Sequence, residues 1–224
     1  MRGDIGLPRP ESSQLHLENN IIVNKNSSSA VVQVPLDNAC YVATGTLPGH
    51  LRLNESAFRE LWALHPTEYH QIRMYGRMVV TPRWQQAYGH DYWYTGNLNK
   101  ALPVPTAIKP LLDWAQNSLE PRLNAILLNW YDGSKGHYIG PHIDSPEGLI
   151  EGAPIVTISF GEERIFRFRP HNGNGKMDLP VDNGTVILIP YNTNRRWTHE
   201  VPKFRKFAGR RMSDPTCLRL IAVR

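Results

Sequence analysis

The chain has 224 residues, 41% of them hydrophobic and 20% charged, with a formal net charge of +5 at pH 7. That length gives one sizeable core and too little chain for two independent domains. Its two cysteines, Cys40 and Cys217, make neither a disulfide framework nor a metal cluster, and no apolar run approaches the roughly 20 residues of a membrane span. The polar opening is not followed by a signal-peptide core, so a cytoplasmic or nuclear monomer with no membrane partner is expected, and the positive charge favours an anionic partner such as nucleic acid.

Residues 1–30, with Pro8, Pro10, Asn19-Asn20 and Asn26-Ser-Ser-Ser29, read as a flexible arm, and 31–224 as the folded domain. Val31–Val34 and Cys40–Ala43 are short strands. A first helix starts at an Asn54 N-cap, carries Phe58, Leu61 and Trp62 at core spacing and stops by Pro66. The segment 72–100 is dense in aromatics, arginines and glycines without helical period. It suits exposed hairpins or a lid, and equally core strands with ordinary aromatics. A second helix spans about Thr106 to Leu119, with Pro110 tolerable only in its first turn. From Ala125 the texture is β: 125–131, Ile155–Phe160, Arg164–Arg169, Thr185–Pro190 and Leu218–Val223, separated by Gly, Pro and Asn turns, which implies a sandwich or barrel.

Within this β region lies His142-x-Asp144, with His199 downstream in Trp197-Thr-His-Glu-Val-Pro202. Residues two apart on a strand share a face, so His142 and Asp144 can reach one metal together, with His199 brought alongside by a later strand. Two imidazoles and one carboxylate leave half of an octahedral iron(II) open for a co-substrate and dioxygen.

With these residues in view, the chain resembles the AlkB-like alkylation-repair dioxygenases over about 38–224. The motifs stand in the family's order: Arg77 to Gly96 with Pro82-Arg83 and an aromatic ending through Tyr92 and Tyr94; Asn129-x-Tyr131; His142-x-Asp144; Pro154 to Gly161; Asn192-x-Asn-x-x-Trp197-x-His199; and an arginine strand at Arg219. The resemblance implies a mainly β fold with supporting helices, a double-stranded β-helix (jelly roll), in which 72–100 contains a nucleotide-recognition lid. It implies Fe(2+), 2-oxoglutarate and O2 as cofactor and co-substrates, with His142, Asp144 and His199 as iron ligands and Asn129, Tyr131 and Arg219 on 2-oxoglutarate. An arginine fork matches a carboxylate with two charge-assisted bonds. The implied reaction couples decarboxylation of 2-oxoglutarate to hydroxylation of an N-alkyl carbon. An N-hydroxymethyl product then collapses to formaldehyde and a free amine.

The chain departs from the family pattern in two regions. Where its C-terminal Arg-x-Asn-x-Thr-x-Arg would follow from Arg219, this chain has Ile221 and Val223 and ends at Arg224, which strand alternation sends to the opposite face. Arg210 or Arg211 could supply the absent cation. Two residues past Asp144, where an acidic base-reading residue is usual, stands Pro146, with Glu147 next.

The leading expectation is oxidative demethylation of N-alkylated bases in DNA or RNA, as in DNA repair. The base is flipped out beside His142 and stacked by Tyr94, with Tyr92 in the same wall. Arg77, Arg83, Lys203, Arg205 and Lys206 would meet phosphates, although 203–206 reads equally as a solvated loop. The alternative is a 2-oxoglutarate-dependent oxygenase of a small molecule or protein side chain, which the departures favour. A non-catalytic nucleic-acid module would predict a damaged ligand set, and all three ligands are present.

Overall fold

A computed structural model of the chain describes residues 17–18, 21–22, 31–74, 76–94, 97–145, 148–203 and 216–224. The strands are β1 (Leu17–Glu18), β2 (Ile21–Ile22), β3 (Val31–Pro35), β4 (Tyr41–Thr46), β5 (Gln71–Met74), β6 (Arg77–Val80), β7 (Trp84–Tyr88), β8 (Tyr92–Tyr94), β9 (Asn97–Asn99), β10 (Ala125–Trp130), β11 (Ile139–His142), β12 (Ile155–Phe160), β13 (Arg164–Pro170), β14 (Met177–Val181), β15 (Thr185–Ile189), β16 (Trp197–Val201) and β17 (Thr216–Ile221). The helices are α1 (Glu55–Trp62), α2 (Lys109–Ser118) and α3 (Tyr191–Arg196).

Among the described residues one antiparallel sheet runs β1-β2-β3-β4-β15-β12-β17-β10-β7 and a second runs β11-β16-β13-β14. Alternation along the large sheet's central strands divides the core. Ile126, Leu128 and Trp130 of β10, Val156, Ile158 and Phe160 of β12, and Leu218 and Leu220 of β17 pack with Phe58 and Leu61 of α1 and Leu111, Leu112 and Ala115 of α2. The other face, with Leu127, Ile155, Ile187 and Ile221, meets Phe166 and Phe168 of the small sheet. This is the expected jelly roll with helices behind one sheet.

Helix α1 begins as expected: the Asn54 side chain accepts from Ala57 N at 2.9 Å. Helix α2 starts at Lys109 rather than Thr106, which leaves Pro110 in the first turn, where its missing N–H costs nothing. Of residues 1–30, expected as an arm, the described ones are two short strands and the rest lie outside the described residues. β1 pairs with β2, and β2 pairs with β3 through Ile21↔Val32, so Ile21-Ile22 extends the sheet edge, as β-branched residues favour. Segment 72–100 meets both expectations at once: β5-β6 and β8-β9 are hairpins, while β7 is a buried strand paired with β10. No helix among the described residues is long and apolar enough to cross a membrane.

Candidate metal centre

The two imidazoles meet because of a register shift. In the β11-β16 ladder Ile139 faces Val201 and His142 faces His199, so three steps on one strand match two on the other. Ile139 already points into the inter-sheet core, and plain alternation would turn His142 away from it. The extra residue reverses that parity. Gly140-Pro141 supplies the irregularity, because proline cannot donate to the ladder. The rings end with centroids 4.3 Å apart.

Asp144 lies beyond the end of β11, so strand alternation, the reason expected from the spacing, is not what positions it. Asn194 of α3 does that. Its Oδ1 accepts from Asp144 N at 3.0 Å and its Nδ2 donates to Asp144 O at 2.9 Å, imitating a strand partner for a residue that has none. Helix α3 is itself tied down where Thr193 Oγ1 donates to Tyr41 O and Trp197 Nε1 to Asp37 Oδ2. The Asn-x-Asn spacing was visible in the sequence, but nothing in it showed what the second asparagine grips.

His142, Asp144 and His199 each offer one ligand atom, and these atoms lie within 4.8 Å of one another. His142 Nδ1 donates to Gly140 O at 2.9 Å, which makes its Nε2 the unprotonated, accepting nitrogen. His199 Nε2 accepts from Arg219 NH2 at 3.0 Å, so its lone pair also faces inward. Asp144 is fully buried, and its Oδ2 has no hydrogen-bond partner among the described residues. Burial, followed by the Arg219 charge, pushes His142 down to about 4, and burial with the His142 and Arg219 charges takes His199 well below its ordinary value. Both imidazoles are therefore neutral at pH 7, the state a metal ligand requires.

Arg219, on β17, is turned into this cluster. Its NH1 donates to Asp144 Oδ1 at 2.6 Å and lies 3.5 Å from His142 Nε2. The three acceptors thus already converge on one cation, the guanidinium. This donor set fits a divalent metal: two neutral nitrogens and a carboxylate, with Asp144 and His199 buried and the ligands held from behind.

Tyr92 was expected on the substrate wall. It is instead 1% exposed, and its hydroxyl donates to Asp144 Oδ1 at 3.2 Å, supporting the carboxylate. Arg83 was expected at a phosphate, and it is 3% exposed. Its Nε donates to Asn129 Oδ1 at 2.7 Å and its NH2 to Gln85 Oε1 at 2.9 Å, so the guanidinium is held inside the fold, with only the cleft wall left to it. Gln85 Nε2 donates to Asn99 Oδ1, and Asn99 Nδ2 to Tyr92 O. One buried chain of hydrogen bonds therefore runs from Asn129 through both parts of 72–100 to the tyrosine on Asp144. Asn129 and Tyr131 are buried on the inter-sheet side.

A cleft of about 410 Å³ opens beside the centre, between Val79 and Val80 of the β5-β6 hairpin and His142, with Arg83 in its wall. Arg77 and Lys203 are exposed. The Tyr94 side chain, Arg205, Lys206, Arg210, Arg211, Pro146 and Glu147 lie outside the described residues.

This fold and ligand geometry agree with the comparisons to known proteins. The family model of the 2OG-Fe(II) oxygenase superfamily matches residues 49–220, and the chain belongs to that superfamily, whose members use iron(II), 2-oxoglutarate and O2. Human DNA oxidative demethylase ALKBH2 is 27% identical over 154 residues, covering 64% of this chain and 59% of that protein. The alpha-ketoglutarate-dependent dioxygenase alkB homolog 3 of Bos taurus is 30% identical over 107 residues, covering 42% of this chain and 37% of its own. The AlkB-like resemblance therefore stands, while the chain spans about three fifths or less of the length of these relatives. The solved structure of OsALKBH1 superposes with a TM-score of 0.54 at 14% identity, covering 84% of this chain and 99% of that one, a likeness of fold.

Proposed function

We propose that the chain is an Fe(II)/2-oxoglutarate-dependent dioxygenase that demethylates N-alkylated nucleobases in DNA or RNA. The observation that carries this reading is the convergence of one ligand atom each from His142, Asp144 and His199 within 4.8 Å of one another, with His142 also lining a cleft walled by an exposed hairpin. The names of the AlkB relatives supply the substrate class. With iron bound, the centre supplies oxidative decarboxylation of 2-oxoglutarate coupled to hydroxylation of a C–H bond.

The chain's own residues have distinct tasks. His142, Asp144 and His199 hold the metal. Asn194 fixes the Asp144 backbone, and Tyr92 steadies its carboxylate. Arg219, with Asn129 and Tyr131, binds 2-oxoglutarate; a divalent ion at the three acceptors repels the guanidinium, which then serves an anion. Arg83 orients Asn129 by engaging its Oδ1, which leaves the NH2 group for the co-substrate. Arg77, Lys203 and Arg205 face the substrate's phosphates.

One observation favours a second reading, a small-molecule or protein oxygenase: Ile221 and Val223 are buried apolar residues where the AlkB pattern has polar ones. Turnover separates the two. The full chain with iron(II), ascorbate and 2-oxoglutarate is given methylated and unmethylated oligonucleotides, single- and double-stranded. Formaldehyde released only with methylated oligonucleotides supports demethylation; succinate formation with no oligonucleotide dependence supports the second reading.

A further inference from the structure

Thr157 sits in the middle of β12, 0% exposed, and its Oγ1 has no hydrogen-bond partner among the described residues. Its Cα partners across the ladder are Arg219 on one side and Ile187 on the other. Directly opposed residues project to the same face, so the Thr157 hydroxyl shares the inter-sheet face with the stem of Arg219. Ile187 on one flank and Leu127 beyond Arg219 offer it nothing polar. Valine would fill the same space without a buried hydroxyl. A hydroxyl kept there points to a partner that arrives from outside the chain.

The second observation is what Arg219 does. Its guanidinium sits on Asp144 Oδ1 and His199 Nε2, atoms of the metal-holding side chains. The single lone pair of His199 Nε2 cannot serve a metal and the guanidinium together, so metal binding turns that side of the guanidinium toward an anion on its own strand's face. Further along β17 and beyond it, Ile221 and Val223 add no polar group to that face. Directly opposite Arg219 on the neighbouring strand, the side chain able to donate to the same anion is Thr157.

We propose that Thr157 is a co-substrate-binding residue, its hydroxyl donating to the distal carboxylate of 2-oxoglutarate that Arg219 neutralises. This rests on the 2-oxoglutarate reading given above and gives a task to Thr157, which stands in the Pro154 to Gly161 motif without one. It also offsets part of the polar lining that Ile221 and Val223 do not supply, from the adjacent strand.

The test is calorimetric titration of the manganese(II)-loaded full chain with 2-oxoglutarate, without nucleic acid, for wild type, T157S and T157V. T157V binds about tenfold more weakly and T157S within about threefold of wild type, while ligand-free T157V melts at or above the wild-type temperature. A same-length acid without the distal carboxylate, 2-oxopentanoate, binds wild type and T157V alike. Equal 2-oxoglutarate affinity in T157V overturns the assignment, as does equal loss for both acids. If T157V melts lower, the comparison passes to T157A and T157S: weak binding by the first alone supports the assignment, weak binding by both overturns it. Wild type that fails to bind 2-oxoglutarate overturns the co-substrate reading itself.

Discussion

His142 and His199 are held as neutral imidazoles by burial and by the guanidinium beside them, and this has a measurable consequence for the metal-free protein. Folded, His142 takes its proton at about 4; unfolded, it takes it at about 6.5. Between those values the unfolded chain binds more protons, so unfolding free energy rises with pH. Stability is therefore full above about pH 6.5 and is lost as pH falls toward 4, with His199 adding in the same direction. Denaturation midpoints of the metal-free chain should be lower at pH 5 than at pH 7, and H142Q should narrow that gap; an unchanged gap contradicts the assignment. Tyr92→Phe removes a donor from Asp144 Oδ1 and should weaken manganese(II) affinity by about tenfold, the effect expected of an outer-shell partner. A Tyr92→Phe affinity equal to wild type would show that the hydroxyl is idle.

At the scale of elements, the metal centre depends on one irregular strand and one short helix. Deleting Gly140 restores plain alternation to β11 and should turn His142 outward. Metal binding is then lost while unfolding stays cooperative, which metal titration and thermal melting read together. The hydrogen-bond chain through Arg83 makes a different prediction. Arg83→Met leaves Asn129 Oδ1 and Gln85 Oε1 without their donors, each worth about 1–3 kcal/mol when buried. It should weaken 2-oxoglutarate binding even with nucleic acid absent. A defect seen only with oligonucleotide would return Arg83 to a phosphate-contacting role.

These elements also mark how far the sequence could be read. The strands 155–160 and 164–169, the Asn54 cap and the His-Asp-His set were legible because alternation, capping chemistry and ligand type are local signals. The bulge was not, since Gly-Pro in a strand signals irregularity without saying which way parity falls. Nor were the buried places of Arg83 and Tyr92, because an arginine or tyrosine in an aromatic-rich segment looks the same in sequence whether it faces solvent or a carboxylate 52 residues away. Thr157 stands inside the Pro154 to Gly161 motif, but its role was not legible, because that comes from the strand beside it.

Across the whole molecule, the jelly roll places a rigid polar floor between two sheets and leaves a more exposed rim above it. On that rim the hairpin presents Met78 and Val80, 59% and 52% exposed, beside Arg77. Replacing Met78, Val79 and Val80 by serine should lower affinity for methylated oligonucleotide and leave 2-oxoglutarate affinity unchanged. With a net charge of +5, oligonucleotide binding should also weaken as salt rises. Salt-independent binding would argue against phosphate contacts.

The central claim is that His142, Asp144 and His199 share one iron that 2-oxoglutarate joins in the same cavity. The most direct measurement is an anaerobic visible-absorption titration of the full chain with iron(II) and 2-oxoglutarate. The expected result is a charge-transfer band that needs both components, saturates at one iron per chain and is missing in D144A. No band in wild type, or an undiminished band in D144A, would contradict it.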